Sequence, residues 1–190
     1  MAYKRLIKVS NVCQLLDKSK YPATGTANGV TFTNNGDGRW TISGKSTGGF
    51  AYYNLVHNLQ LNQGHTYLAP YVGFGACYVE VKFKNKNDEV KWGVNRYTAD
   101  ENSKVDVGLI ALDTFDGADT VLIPQIFDLT EMYGAGHEPT TVEQFRQDFP
   151  EEMYDYSPYC WLTSYKRVFM TGRGNYLTSY QRNLTCNTRR

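Results

Sequence analysis

The sequence predicts a mainly β protein, an antiparallel sandwich with one short helix and a hairpin-like C-terminal extension. Three observations predict it. The 190 residues are rich in Tyr, Thr, Val and Asn, with 15 Tyr and 17 Gly, a composition that suits strands and turns. Turn signals recur roughly every 8–12 residues between short segments, a spacing typical of sandwiches. The segments between them alternate apolar and polar residues, as strands do when one face is buried and the other wet.

Taken in order, residues 1–10 alternate weakly through Tyr3, Leu6, Ile7 and Val9 and read as an arm leaving the body. Val12 to Leu16 reads as the first body strand, ended by Tyr21-Pro22 and a loop through Gly25, Asn28 and Gly29. Val30 and Phe32 oppose Thr31 and Thr33. Asn34-Asn35-Gly36-Asp37-Gly38 then turns the chain into Trp40 and Ile42, a hairpin signal. Phe50 to Leu55 and His65 to Leu68 are further strands, separated by a loop over 58–64. Tyr78 to Lys84 alternates most cleanly, with Val79, Val81 and Phe83 against Glu80, Lys82 and Lys84. Val90, Trp92 and Val94 continue the pattern, which places Trp92, like Trp40, on the core face. Val105, Val107 and Leu109 alternate next. Val121 to Leu129 reads as the last body strand, with Pro124 marking an edge or a bulge.

The most informative stretch runs from Ile126 to Pro158. Gly134-Ala135-Gly136 breaks the strand, and Thr140 with Glu143 suggests a capping box that starts a helix near Thr141. Val142, Phe145 and Phe149 share one helical face, and Pro150 stops the helix. About ten residues of helix do not persist alone in water, so those three side chains must pack on a sheet. The string FDLTEMYGAGHEPTTVEQFRQDFP resembles a module of structural proteins from bacterial viruses and prophages, in which FDLT, a GAG-EPT turn, a short helix and a Y-x-Y-x-P exit follow one another. Gln14-Leu15-Leu16-Asp17 and NGVTFTNNGDGRWTISGKSTGG look like the same module, so the resemblance spans residues 11–158. It implies a jelly-roll β-sandwich similar to carbohydrate-binding domains. Such modules occur in tail fibres, adhesins and capsid-attached proteins.

Charge is unevenly placed. Residues 1–20 carry five Lys and Arg against one Asp, and residues 161–190 carry six with no acid; a net charge of +1 then leaves 21–160 at −9. This divides the chain into an arm (1–10), a body (11–158) and a basic aromatic extension (159–190). Basic ends on an acidic body suit docking to an acidic partner, or to the body of a sister subunit. Lys4, Arg5, Lys166, Arg167, Arg173 and Arg182 are the docking candidates. Leu162-Thr163-Ser164-Tyr165-Lys166-Arg167 recurs nearly unchanged at 177–182 across a Gly-rich turn. That repeat predicts a two-stranded hairpin, which needs packing or a partner to persist.

No secretory leader or membrane-length apolar run is read in the chain. The expectation is synthesis in a host bacterial cytoplasm and residence in the virion, with other virion proteins and further copies of the chain as partners and no membrane or nucleic acid. Cys13, Cys77, Cys160 and Cys186 form no C-x-x-C pair and are expected to be reduced. No nucleophile, metalloprotease, P-loop or dinucleotide motif appears, and a non-enzyme is expected. No cofactor is expected, and calcium is the one metal considered. Asp113, Asp116 and Asp119 offer carboxylates at every third position, a pattern that suits calcium or a solvated loop. A glycan is the ligand considered, because aromatic faces stack on sugar faces. Tyr52, Tyr53, Trp92 and Tyr97 are its candidate platforms. Tyr52 and Tyr53 are adjacent, so on a regular strand one of them must point away from the core.

Overall fold

A computed structural model describes residues 12–70, 75–150 and 154–156, and the backbone of strands at 4–9 and 164–169. The chain is mainly β, with antiparallel sheets and two short helices. In order the strands are β1 (Lys4–Val9), β2 (Gly25–Ala27), β3 (Val30–Asn34), β4 (Trp40–Lys45), β5 (Ala51–Gln60), β6 (Thr66–Leu68), β7 (Cys77–Lys84), β8 (Val90–Lys91), β9 (Arg96–Thr98), β10 (Lys104–Ala111), β11 (Asp116–Leu122) and β12 (Phe127–Asp128). Helices α1 (Leu129–Tyr133) and α2 (Val142–Asp148) follow, and then β13 (Ser164–Phe169).

Two four-stranded sheets form the main body, one ordered β5-β10-β7-β8 and the other β11-β4-β3-β2. The first contributes Leu55, Val79, Val81, Phe83, Val105, Val107 and Leu109 to a hydrophobic core that it shares with Val30, Phe32, Trp40 and Ile42 of the second. Alternation explains this: in β7 every second residue is buried, as the sequence requires. β10 departs from it, being buried on both faces from Val105 to Ala111, because long side chains from β5 and β7 lie over its outer face.

A three-stranded sheet, β12-β6-β9, carries a second core of Leu68, Phe127, Leu129, Met132 and Phe145. Helix α2 packs here through the expected face. Phe145 is fully buried against Phe127, with ring centroids 4.7 Å apart, and Val142 and Phe149 pack at its margin.

Several sequence expectations are corrected. Among the described residues there are two α-helices where one helix was expected. The Val121–Leu129 run is not one strand: pairing ends at Leu122, the chain through Pro124 is irregular, and α1 begins at Leu129 because the Asp128 side chain accepts the Glu131 N–H and caps it. Val12–Leu16 is not a regular strand either and pairs only through isolated bridges at Gln14. β5 runs on to Gln60, into the expected loop. The α2 cap is Thr141, not Thr140: the Thr141 hydroxyl accepts the Gln144 N–H, while Gln144 reaches back to the Thr140 N–H at 2.8 Å. Cys13 is disulfide-bonded, which corrects the expectation of reduced cysteines, and its partner lies outside the described residues. Cys77 is a free thiol. Among the described residues no helix is long and apolar enough to cross a membrane.

β13 pairs antiparallel with β1, from Lys4 opposite Phe169 to Val9 opposite Ser164. The expected hairpin partner at 177–182 lies outside the described residues.

Candidate functional site: an aromatic groove on the outer sheet face

The motif stretch is built for holding the fold together. Asp128 is buried. One of its oxygens caps α1 and the other lies 2.9 Å from His65 Nδ1. The Thr130 hydroxyl accepts the Thr66 N–H at 2.9 Å and donates to Glu138 at 2.6 Å. Although burial acts to raise it, the hydrogen bonds from Thr130 and from backbone N–H groups, with the nearby Arg96 charge, hold the Glu138 carboxyl below its usual value. Arg96 Nε donates to the Pro139 carbonyl at 3.2 Å. Thus Asp128, Thr130, Glu138 and Pro139 tie the 127–139 segment to β6 and β9. Phe127 and Leu129 fill the core between them. The motif is a clasp: Asp128, Thr130, Glu138 and Pro139 are hydrogen-bonded within it or to His65, Thr66 and Arg96.

The exposed chemistry lies elsewhere. On the outer face of the β5-β10-β7-β8 sheet, Phe50, Tyr52, Tyr78, Glu80, Lys82, Trp92, Ile110 and Leu112 line an open groove of about 390 Å³, within the size range of small-molecule sites. Strand register sets its order. Tyr52, Ile110 and Tyr78 lie side by side across three strands, and the next row on that face is Asn54, Gly108 and Glu80. Lys82 follows opposite Asp106, and Trp92 stands just past β8 beside it. Phe50 and Leu112 close the other end. The groove is therefore apolar at one end and charged at the other.

Gly108 is required for this shape. A Cβ there would come within 2.5 Å of the Tyr52 ring, so the ring lies directly over the glycine backbone. Lys82 Nζ sits 4.7 Å from the Tyr52 ring centroid and 5.4 Å from that of Trp92, and 2.5 Å from Glu80 Oε2. Burial alone would lower the Lys82 ammonium's pKa, but the Glu80 hydrogen bond and the neighbouring charges raise it above its usual value. Burial, opposed by Lys82, raises the Tyr52 phenol. The groove thus holds a balanced ion pair against aromatic walls, with the Lys82 ammonium within cation–π distance of Tyr52 and Trp92.

Next to the groove, Asp106 pairs with Lys84 at 2.5 Å, accepts the Asn58 N–H at 2.7 Å and faces His57 at 3.2 Å. Burial acts to raise this carboxyl, but Lys84, the Asn58 N–H and His57 bring it below its usual value.

The structure separates the four candidate platforms. Tyr52 and Trp92 share the groove. Trp92 is 67 % exposed because β8 ends at Lys91 and Gly93 turns with φ of 68°, which corrects its expected place in the core. Tyr53 faces inward, stacked on Phe32 at 5.3 Å with its hydroxyl donating to the Ala23 carbonyl. Tyr97 stacks on Phe83 at 5.1 Å and bonds Ser103. Neither Tyr53 nor Tyr97 is a surface platform. Phe50, 61 % exposed, was missed; it follows a Gly-Gly turn and precedes β5, outside any alternation. Asp116 opens β11 paired with Lys45 at 2.7 Å, so Asp113, Asp116 and Asp119 do not share one loop. Among the described residues no group of three metal-ligating side chains converges. The docking residues Lys4, Arg5, Lys166 and Arg167 fall on the β1–β13 pair. Arg173 and Arg182 lie outside the described residues.

No protein-family model matches this chain, and no curated protein or solved structure matches it either.

Proposed function

We propose that the chain is a non-enzymatic structural component of a bacteriophage particle, a capsid decoration, head fibre or tail-associated piece. Its basic ends anchor it to other particle subunits, and its body, a jelly-roll sandwich, is displayed outward. The observation that carries this reading is the β1–β13 ribbon. It joins the two chain ends and bears Lys4, Arg5, Lys8, Lys166 and Arg167 with no carboxylate. A two-stranded ribbon is marginal alone in water and gains stability by adding to another sheet or surface. The acidic body offers such a surface on a neighbouring copy, so a homo-oligomer is part of the proposal. The resemblance of the 126–158 stretch to phage structural modules points the same way. The test is to add purified chain to particles that lack it. Binding at low ionic strength and release as salt rises through a few tenths molar supports charge-driven docking. Salt-independent binding, or none, removes it.

A second reading, a receptor-binding adhesin that recognises glycans, is favoured by the groove: Trp92 and Phe50 stand exposed on either side of a polar pair. Loss of adsorption to host cells on Trp92→Ala, with particle incorporation unchanged, supports it.

A further inference from the structure

We propose that the groove binds a short oligosaccharide of N-acetylated amino sugars, one ring face against Trp92 with its hydroxyls on Glu80 and Lys82, and the acetamide methyl of a following unit toward Phe50, Ile110 and Leu112. The proposal rests on the glycan reading above and names the class of sugar.

Two of the three exposed large hydrophobics among the described residues, Trp92 and Phe50, line this one groove. Exposed aromatics that converge on a concavity mark a binding surface rather than scattered surface apolarity. The Tyr52 ring is already used, with the Gly108 backbone beneath it and Lys82 against it. Trp92, with Lys82 Nζ at 5.4 Å from its ring centroid, and Phe50 are the aromatics that keep surface to offer, and Trp92 is the larger of the two. The ligand must therefore present an apolar face to an indole, as a pyranose does through its C–H groups.

Charge narrows the class further. Lys82 and Glu80 neutralise each other within the groove, and no other charged residue lines it. An anionic sugar would have to break that pair to gain a cation, and a cationic one would meet Lys82. A neutral ligand keeps the pair intact and uses its remaining donor and acceptor capacity. Neutral hydroxyls satisfy only the Glu80–Lys82 end. The opposite end is walled mainly by Phe50, Ile110 and Leu112, with the Tyr78 phenol beside Ile110 as its polar group, so most hydroxyls placed there would lose water to apolar surface, at a cost. An acetamide places a methyl there. A groove of about 390 Å³ lies near the small end of ligand sites, which suits one or two sugar units.

The full-length chain is titrated with the disaccharide and trisaccharide of N-acetylglucosamine, and in parallel with the matching glucose oligomers. Amide NMR shifts and protection of tryptophan fluorescence from acrylamide are followed. The expected result is saturable shifts at Tyr52, Glu80 and Ile110 and binding at least tenfold tighter for the acetylated oligomers. Trp92→Ala should abolish binding. Phe50→Ser should erase the preference for the acetylated sugar. Both side chains are exposed, so unchanged thermal unfolding certifies the fold of each variant. Equal binding of glucose oligomers overturns the acetamide assignment while leaving the glycan reading intact. No saturable binding of either series overturns both. Binding that survives Trp92→Ala overturns the site.

Discussion

At the scale of single residues, the two ends of the sheet face show how one side chain decides another's role. Gly108 leaves room for the Tyr52 ring, and Tyr52 with Trp92 flanks the Lys82 ammonium. Thr130 does the corresponding work in the clasp. Thr130→Val keeps the shape but leaves the Thr66 N–H and Glu138 without their partner, and should cost about 1–3 kcal/mol in chemical denaturation. Asp106 supplies a pH signature. Its folded carboxyl is held below the ordinary value of 3.8. The stabilisation it brings is therefore present above that value and lost as pH falls through the lower folded one. Asp106→Asn should be destabilising at neutral pH, and the gap from the native chain should shrink below about pH 4. A gap independent of pH would mean that the Lys84 and His57 charges are not what holds it. Trp92 was a candidate platform, but its exposure was not legible, because alternation through Val90, Trp92 and Val94 presumes a strand, and the strand stops at Lys91. The split between Tyr52 and Tyr53 was legible as a necessity; which of them faced out depended on where Phe32 and Trp40 lay.

At the scale of elements, long alternating strands are the parts the sequence displays best. β3, β4 and β7 fall where alternation puts them, since each has one face committed to the shared core; β10 falls there too, although both of its faces are buried. Short elements escape pattern reading. α1 has five residues, too few to repeat an apolar face, and its cap, the Asp128 side chain on the Glu131 N–H, became visible only in the structure. The groove was invisible for a different reason: it joins residues of β5, β7 and β10 that become neighbours only through sheet register. α2 depends on its one fully buried side chain. Phe145→Ala removes the ring between Phe127 and Phe149 and should cost roughly 3–5 kcal/mol, read as a lowered unfolding midpoint. The second core being small, that loss should also raise amide exchange across α1 and α2 while sparing β7 and β10. Uniform loss of protection would mean that the two cores unfold as one unit.

At the scale of the whole molecule, charge is divided by position in the chain. An acidic middle of −9 lies between two end segments, of which Lys4, Arg5, Lys8, Lys166 and Arg167 fall on one paired ribbon. Net charge near zero hides this division, and the strand pairing between the ends was not legible, because the internal repeat at 162–167 and 177–182 pointed to a local hairpin. The proposed docking through the ends and the proposed ligand binding in the groove use different residues, so each should be lost without the other. The most direct measurement of the central claim is the amount of chain carried by purified particles when Lys4, Arg5, Lys166 and Arg167 are all changed to Glu, quantified by mass spectrometry against an invariant particle protein. The account predicts that incorporation falls at least tenfold, with the soluble variant unfolding at the native temperature. Native-level incorporation of the charge-reversed chain would contradict it.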